Sequence, residues 1–426
     1  MNAELGAWLE SVVYRACGLP LALRRSMGLA GAGLPPDRQC VRDCYLDTFG
    51  CISSARDLAA LVVAAAIWPL AAPLSAGWMT LRNAQAIRRR NGKGALRQFA
   101  EQLELAWREG LLPPWYYIFE LHEPAQRAQA ALFFTRWESK RGVYPVVRRA
   151  GPVAPLRDKA QFAAHCQAHG IRAAPLVAEV RKCVTTFHGD QKSLPPQDLF
   201  VKPIAGRGGT GAAVWAYVGE GRYRSGRSEI VDAAALLRRL EARSRRRDLL
   251  IQPRLVNHGD VRDLACGTLA TARILTCLDE EGRPEVMAAV FRMAAVEGSP
   301  VDNFHAGGIA ASVELATGRL TAATDLGMDA RRGWTERHPV TGALILGRAL
   351  PCWPEALELA RRAHAVFSDH LVVGWDVALL DDGPCIIEGN GGPDLDVMQR
   401  PARSPMGGQR FSQLCAFHLA RQAERS

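Results

Sequence analysis

The pattern that most constrains the fold of this chain lies near its C-terminal end. Two β-prone runs, 374–379 and 386–390, flank a tight turn, which is typical of a β-hairpin. Asp376 lies on the first run, and Glu388 and Asn390 end the second. Because positions two apart on a strand face the same side, Glu388 and Asn390 can converge on a point that Asp376 reaches from the paired strand. The sequence therefore predicts a hairpin that presents three oxygen-bearing side chains on one face.

Three hard oxygen ligands around one point suit Mg²⁺, which proteins usually hold with one or two carboxylates together with substrate phosphates. The alternative is an ordinary polar hairpin with a solvated face, since acidic residues are common at hairpin ends. The hairpin taken alone leaves both interpretations open.

A second segment places a lysine before a glycine-rich loop. The strand-like run 200–203 contains Lys202, and the loop 206–211 separates it from another β-prone run, 212–215. Glycine lets backbone N–H groups fold around an anion without a Cβ in the way, and Lys202 adds a positive charge. The loop lacks the Gly-Lys-Ser/Thr of a Walker motif, and its position between two strands excludes a dinucleotide fingerprint. The residues expected to surround a phosphate are Gly206, Arg207, Gly208, Gly209, Thr210 and Gly211.

In this order, the lysine strand, the glycine loop and the acidic hairpin resemble the ATP-grasp enzymes, and more narrowly the sugar-transfer-associated ATP-grasp family, which is related to the α-L-glutamate ligases. The resemblance runs from about residue 156 to the C-terminus. Its most specific part extends from 338–342 through 374–376 to 388–390. It implies an α+β, ATP-grasp fold with the nucleotide bound between two α+β lobes, and ATP and Mg²⁺ as cofactors.

The resemblance also implies nucleotide-binding roles for individual residues. Lys159 and Lys202 would approach the phosphates, although Lys159 taken alone could be a surface lysine of a helix. The segment from Gln252 to Leu255 would form the hinge beside the adenine, and many family members carry Glu where this chain has Gln252. Asp260 would accept hydrogen bonds from the ribose hydroxyls, with a plain turn residue as the alternative.

Three further residues are candidates for catalysis. Arg273 lies in the alternating run 271–276, on the side that the family uses for the phosphate or acyl phosphate, and a guanidinium can bind two oxygens of a phosphoryl group at once. Arg292 is a second candidate of the same kind. His305 lies in a loop that looks like the family's glycine-rich loop beside the metal. It could be a general base, a substrate contact or a structural histidine. The metal ligands implied are Asp376, Glu388 and Asn390.

The implied reaction is an ATP- and Mg-dependent ligation of a carboxylate to an amine, or another nucleophile, through an acyl phosphate. The substrates would be small-molecule or glycan-linked carboxylates and amines. Two alternatives stay open: an ATP-grasp kinase that phosphorylates a sugar or another hydroxyl, and a non-catalytic nucleotide-binding module of a glycan-assembly complex.

The N-terminal third differs from the rest because residues 58–81 carry no charge. As a helix, these 24 residues would be about 36 Å long, enough to cross a hydrocarbon layer of about 30 Å. Pro69 and Pro73 predict a kink. A membrane span, a bent hairpin lying at the membrane surface and a buried helical hairpin are therefore all open. The basic residues that follow favour a cytoplasmic C-terminal side.

The length of 426 residues predicts two to three domains. We expect a mostly helical region over 1–150, a nucleotide-binding lid over 151–255 and a catalytic lobe over 256–426. The net charge of +10 comes without an aromatic-interleaved RNA motif or zinc-finger spacing, so nucleic acid is not an expected partner. The 11 scattered cysteines are typical of free thiols in a reducing compartment. A cytoplasmic protein, at the inner face of the membrane if 58–81 touches lipid, is expected.

Overall fold

The computed structural model describes residues 3–29, 33–147, 155–205, 211–226, 228–296, 302 and 304–424. Within them lie thirteen α-helices and fourteen strands. The helices are α1 (Ala3–Ser26), α2 (Pro36–Gly50), α3 (Ala55–Asn91), α4 (Ala95–Glu109), α5 (Pro113–Ile118), α6 (Pro124–Ala128), α7 (Tyr144–Val146), α8 (Lys159–Ala168), α9 (Ala233–Ser244), α10 (Gly259–Arg262), α11 (Trp353–Val366), α12 (Asp396–Ala402) and α13 (Arg410–Ala423). The strands are β1 (Ala178–Arg181), β2 (Val184–Phe187), β3 (Leu199–Pro203), β4 (Ala213–Tyr217), β5 (Arg222–Ser225), β6 (Ile230–Asp232), β7 (Leu249–Pro253), β8 (Thr271–Leu278), β9 (Pro284–Met293), β10 (Ile309–Val313), β11 (Leu320–Thr324), β12 (Trp334–Thr335), β13 (Val372–Leu380) and β14 (Gly383–Asn390).

The uncharged segment forms part of one helix, α3, rather than a hairpin. Ser54 caps its N-terminus by accepting a hydrogen bond from the Asp57 backbone N–H, and Gly92 ends it with a φ of 76°. The expectations of a bent or a buried helical hairpin over 58–81 are therefore wrong. Pro69 lies on the exposed side, where water can solvate the carbonyl that the proline leaves unpaired, so the helix continues through it.

One face of α3 packs inside the protein along its length. Ala60 and Ala64 are fully buried in a cluster with α1, and Gln102 of α4 donates a hydrogen bond to the Thr80 hydroxyl at 2.8 Å. Asn83 then ties α3 to the C-terminal part of the chain, because its carboxamide oxygen accepts a hydrogen bond from the Ala330 N–H at 2.8 Å. The helical region and the rest of the molecule therefore share an interface.

The first sheet has seven antiparallel strands in the order β2-β1-β7-β3-β4-β5-β6. Helix α9 covers one face, where Leu236 and Leu240 are buried against strand residues such as Val201 and Ile251. Pairing of Val201 with Ile251 and of Lys202 with Leu250 fixes β3 at the centre of the sheet. Because β3 leads directly to residue 206, the sheet holds the entry to the glycine loop.

The second sheet also has seven antiparallel strands, in the order β12-β11-β10-β9-β8-β13-β14. All residues of β8 and β13 are buried, since one face packs on α11 and the other on α13 and residues of the helical region. Trp375, on β13, is fully buried, and its indole N–H donates to the Thr276 hydroxyl at 2.8 Å. These two central strands form the rigid base of the site.

Aromatic residues that follow α4 pack the helical region against the segment between β11 and β12. Tyr116, Tyr117 and Phe119 are buried in one cluster with Ala330. A buried ion pair joins Arg38 of α2 to Glu138 at 2.5 Å, in a π-helical turn over Glu138–Val143. The residues around 150, where we expect a domain boundary, lie outside the described ranges.

Candidate ATP and metal site

The predicted hairpin is present as β13 and β14. Asp376 lies directly opposite Glu388, and Gly374 lies opposite Asn390, with a register shift immediately after Asp376. On its other side, Asp376 is paired with Arg273 of β8. The pairing places Asp376, Glu388 and Asn390 on one face, because cross-strand partners and positions two apart share a side. The predicted hairpin is therefore confirmed, and the convergence of these three side chains on a metal ion stays a prediction.

Asp376 is the buried centre of an ion-pair cluster. Arg273 donates to it with two nitrogens, Nε and, at 3.0 Å, Nη2, and Arg292 Nη2 lies 2.9 Å from Asp376 Oδ2. Burial alone would raise the pKa of the Asp376 carboxyl, but the two guanidinium groups hold the pKa below its usual value. Asp376 therefore carries its negative charge at neutral pH.

Arg292 is held from a second side by residues that the sequence did not single out as site residues. Its Nη2 donates to the Thr271 hydroxyl at 2.6 Å and lies 3.4 Å from Asp302 Oδ1. The Thr271 hydroxyl in turn donates to Asp302 Oδ2 at 2.5 Å. Asp302 lies in the same glycine-rich loop as His305. Its acidic side chain was the sequence signal that could have identified it as a site residue. Burial raises the pKa of Asp302, although Arg292 opposes this.

Two lysines lie near the hairpin, one at the start of α8 and the other on β3 of the first sheet. Lys159 is the first residue of α8, which Asp158 caps, and its Nζ lies 3.6 Å from Glu388 Oε2. Lys202 of β3 is buried, and burial lowers its pKa to about 8 although Glu388 opposes the shift. A bound anion beside Lys202 would favour its charged form, which is the expected condition of a phosphate-binding lysine.

Gly374 leaves the space that the arginine cluster needs. A Cβ at this position would lie 3.0 Å from Pro393 Cβ and 3.3 Å from both Cδ and Nη1 of Arg273. Glycine therefore lets Arg273 extend along the strand to reach Asp376. The sequence shows a glycine before Trp375, but no local pattern indicates that the Arg273 side chain lies against it.

The adenine and ribose candidates lie on β7 and in the segment that follows it, up to α10. Gln252 is buried on β7, and its carboxamide donates to the carbonyls of Ala174 and Pro175, both at 3.3 Å. Leu255 packs in a small cluster under the hairpin. Asp260 lies on α10 with its side chain largely exposed and 3.6 Å from His258 Nδ1. The structure does not bring these three residues into the ion-pair cluster.

Of the glycine loop, Gly206, Arg207, Gly208, Gly209 and Thr210 lie outside the described residues. Gly211, which closes the loop, has a φ of 85°, a conformation that favours glycine, and its carbonyl accepts a hydrogen bond from Arg243.

His305 lies apart from the cluster, in a 3-10 turn over Phe304–Ala306. Its Nε2 is 3.0 Å from Asp396 Oδ2 at the start of α12. The hydrogen bond to Asp396 raises the pKa of His305, so the imidazole is more readily protonated than a free histidine. The role of His305 as a general base, a substrate contact or a structural histidine stays a prediction.

The donor set fits Mg²⁺ only if phosphate oxygens complete it. Among the described residues, no group of three or more His, Cys, Asp or Glu side chains is placed to hold a metal ion. Asp376 and Glu388 supply two carboxylates, and Asn390 supplies an amide oxygen, which matches the few protein ligands that Mg²⁺ takes in nucleotide sites. Around them, four cationic side chains face three carboxylates and leave one positive charge in excess: Lys159, Lys202, Arg273 and Arg292 against Asp302, Asp376 and Glu388.

Comparison with protein families decides the identity of this arrangement. The family described as "Sugar-transfer associated ATP-grasp" matches residues 147–407, which is more than half of the chain. The chain belongs to this family. Its two antiparallel sheets, with the cluster between them, are the two lobes of an ATP-grasp fold. No curated protein shows a significant match to this ATP-grasp chain.

Solved structures resemble the chain only distantly. D-alanine–D-alanine ligase from Bacillus anthracis, complexed with ATP, is 14% identical over 63% of this chain and 68% of its own, with a TM-score of 0.37. L-amino acid ligase from Bacillus licheniformis is 13% identical over 62% and 48%, with a TM-score of 0.35. An ADP complex of N5-carboxyaminoimidazole ribonucleotide synthetase is 10% identical over 57% and 46%, with a TM-score of 0.32. The chain thus spans about half the length of the last two, and likeness at this level carries no argument about its activity.

Proposed function

We propose that this chain is an ATP- and Mg²⁺-dependent ligase that activates a carboxylate as an acyl phosphate and passes the acyl group to an amine or another nucleophile. One observation carries the proposal: Lys159, the first residue of α8, lies beside Glu388, which is paired with Asp376, and Asp376 in turn binds Arg273 and Arg292. Cations and carboxylates on one face, between two lobes, suit the polyphosphate of ATP and its metal.

The binding roles follow from position and charge. Lys159, Lys202 and the loop 206–211 would hold the phosphates, and Asp376, Glu388 and Asn390 would hold Mg²⁺. When bound, the metal would neutralise phosphate charge. The hinge residues Gln252 and Leu255 and the exposed Asp260 remain the candidates for the adenine and ribose. Because β3 and β7 are neighbours in one sheet, the phosphate lysine and the hinge are held in fixed relation.

The chemical step begins with a carboxylate oxygen of the substrate attacking the γ-phosphorus of ATP. The bond from that phosphorus to the β–γ bridging oxygen breaks, and ADP leaves with the electron pair. A nucleophilic amine then attacks the acyl carbon, the acyl C–O bond breaks, and phosphate leaves while the amine loses a proton. In this proposal Arg273 and Arg292 would lie beside the transferring group, and their guanidinium groups would stabilise the charge that accumulates on it.

The family description, which associates the family with sugar transfer, supports a glycan-linked substrate. The proposed use of ATP supports a cytoplasmic site of action. We therefore propose a carboxylate or amine on a glycan or glycan precursor as one of the two substrates. This part of the proposal rests on association, since no described side chain identifies a sugar.

Hydroxylamine trapping tests the reaction class. The protein is incubated with Mg²⁺–ATP, hydroxylamine and a panel of amino acids and sugar acids, and ADP and hydroxamate are measured. A ligase yields hydroxamate and ADP in equal amounts, because hydroxylamine intercepts the acyl phosphate. A stable phosphorylated product from a hydroxyl-bearing acceptor would instead identify a kinase. ADP formation absent with every acceptor would identify a non-catalytic module.

Asp376→Asn and Glu388→Gln test the metal assignment within the same assay. Each change keeps side-chain size and removes one negative charge from the proposed Mg²⁺ ligands. We expect ADP formation to fall at least about a hundredfold in either variant, since electrostatic stabilisation of phosphoryl transfer is the largest contribution to its catalysis. Unimpaired turnover in both variants would overturn the assignment.

A further inference from the structure

One face of α3 exposes large apolar side chains over four helical turns. Ile67, Leu70, Leu74, Trp78 and Leu81 follow each other at intervals of three or four residues, so they lie on one side of the helix. Their exposed fractions are 42%, 69%, 72%, 55% and 88%. We call these five residues the apolar stripe. A soluble protein rarely leaves so many large side chains exposed together unless something binds them.

The exposure of the apolar stripe is a consequence of the fold, because the other side of α3 is already occupied. Ala72, Ala76, Met79 and Thr80 are buried, and α4 and α5 pack against this half of the helix. Trp68, between the two faces, contacts Trp107 of α4 edge-on at a ring-centroid distance of 6.0 Å. Any partner of the apolar stripe must therefore come from outside the described part of the chain.

The charged residues close to the apolar stripe in sequence are all basic. No aspartate or glutamate occurs between residues 58 and 100, while this stretch contains Arg82, Arg88, Arg89, Arg90, Lys93 and Arg97. Arg88 and Arg89 are exposed on the turns that continue the apolar stripe, and the ion pairs of the described residues do not include them. Arg82 packs over the Trp78 ring at 5.7 Å and pairs with Asp329 at 3.3 Å.

We propose that the apolar stripe, with Arg88 and Arg89, docks the protein in the plane of an anionic lipid surface. Leucine, isoleucine and tryptophan would enter the boundary between headgroups and acyl chains, and the arginines would meet lipid phosphates. The stripe covers 14 helical steps, about 21 Å, which suits a helix lying along a membrane. Charge complementarity favours lipid over a second copy of this chain, because two copies would bring like charges together.

The structure favours lying on the membrane over crossing it. Among the described residues, α3 is the one helix long and apolar enough to span a bilayer. A span would carry its neighbour α4 into hydrocarbon, together with the buried Glu101, which pairs with Lys93 at 2.7 Å. Charged groups in the bilayer core are costly, whereas docking one face leaves this packing intact.

Vesicle flotation tests the proposal with the full chain. The probes are vesicles of phosphatidylcholine alone and of phosphatidylcholine with about 30 mol% phosphatidylglycerol, an anionic lipid. The variants are Leu70→Ser/Leu74→Ser and Arg88→Gln/Arg89→Gln. The matched controls are Val184→Ser/Val256→Ser and Arg224→Gln/Arg238→Gln, which change exposed residues of the same kinds elsewhere. Circular dichroism and thermal unfolding check that each variant is folded.

We expect the wild type and both controls to float with anionic vesicles and not with neutral ones. The leucine variant should lower the fraction bound at least about tenfold, and the arginine variant by a smaller factor that shrinks at high salt. Equal flotation of the wild type and the leucine variant would overturn the proposal. Absence of flotation with a dimer that only the leucine variant dissociates would also overturn it, and would assign the apolar stripe to a second copy. ATP binding, measured in parallel, is independent of this result.

Discussion

At the level of single residues, the cluster between the lobes owes its shape to the burial of charge. Asp376 keeps two arginines in place, and the arginines keep Asp376 ionised. A buried charge is costly unless it is paired, so each member orients the others. Lys202 is the exception, because burial lowers its pKa although Glu388 opposes the shift. This residue is therefore the most sensitive to the presence of a phosphate.

Replacing Lys202 by Met tests whether Lys202 binds the phosphate of ATP. Met keeps the length and apolar stem of the side chain, so the fold should hold, while the cation that meets the phosphate is lost. We expect the Kd for ATP to rise at least about tenfold, equivalent to 1.4 kcal/mol, measured by isothermal titration calorimetry. Lys182→Met, at an exposed position of the same lobe, is the control and should bind as the wild type does. Equal ATP affinity in Lys202→Met and the wild type would remove Lys202 from the site.

At the level of elements, the sequence predicted the hairpin well because two β-prone runs and a tight turn are local patterns. Regular alternation from the turn would pair Asp376 with Ile387, and the register shift immediately after Asp376 places it opposite Glu388 instead, which no local pattern shows. The pairing of Asp376 with Arg273 depends on β8, which lies about a hundred residues earlier, and no local pattern shows it. Asp302 was missed for the same reason, since its partner Arg292 becomes visible only in the folded sheet.

Gly374→Ala tests how closely the strands determine the site. The added Cβ would press against Pro393 and Arg273, at 3.0 and 3.3 Å, and Arg273 must shift to avoid it. We expect ADP formation to fall about tenfold or more, because a small displacement of a positioning group has a large effect on rate. Gly77→Ala in α3, where an added Cβ meets nothing within 4 Å, should leave activity unchanged and raise helix stability slightly. Wild-type activity in Gly374→Ala would show that the site does not need this approach.

His122 gives a prediction about pH at the end of the helical region. Burial lowers its pKa to about 4, although Glu120 and Glu123 oppose this, while an unfolded chain has a histidine pKa of about 6.5. Between these values the unfolded state binds more protons, so stability falls as the pH falls from about 6.5 towards 4. From pH 7 to pH 5 the loss should be about 2 kcal/mol at most.

Urea unfolding of the wild type and of His122→Gln, at pH 7 and pH 5, measures this contribution. The difference in free energy of unfolding between the two pH values should be smaller in the variant, because glutamine does not titrate. An equal or larger pH dependence in His122→Gln would contradict the assignment. The comparison separates His122 from the carboxylates, which both proteins share.

At the level of the whole molecule, family resemblance made the ATP-grasp fold predictable, but the packing of the helical region was not. The uncharged segment was expected to bend at its prolines, and it forms part of one helix that contains both Pro69 and Pro73. Helix α3 packs against α1 and α4, and α2 packs against α13. Hydropathy does not predict these contacts, because they form between segments that are distant in sequence. The domain limits near 150 and 255 stay predictions.

The buried pair Arg38–Glu138 tests how much the interface between α2 and the rest of the molecule contributes to stability. Arg38→Leu leaves Glu138 buried, with Arg42 Nε 3.9 Å away as its remaining cation. We expect the free energy of unfolding to fall by about 3–5 kcal/mol, the usual cost of an uncompensated buried charge. Arg25→Leu, which breaks an exposed pair with Asp47, should cost no more than about 1 kcal/mol. Similar losses in the two variants, measured by urea unfolding, would contradict this account.

The measurement that tests the central claim most directly is the dependence of ATP affinity on Mg²⁺, because it requires no knowledge of the acceptor. We predict that Mg²⁺ tightens ATP binding in the wild type and in Glu355→Gln, an exposed control, and that Glu388→Gln loses at least about tenfold of this tightening. The same Mg²⁺-dependent gain in Glu388→Gln as in the wild type would contradict a metal–ATP site at the end of the β13–β14 hairpin.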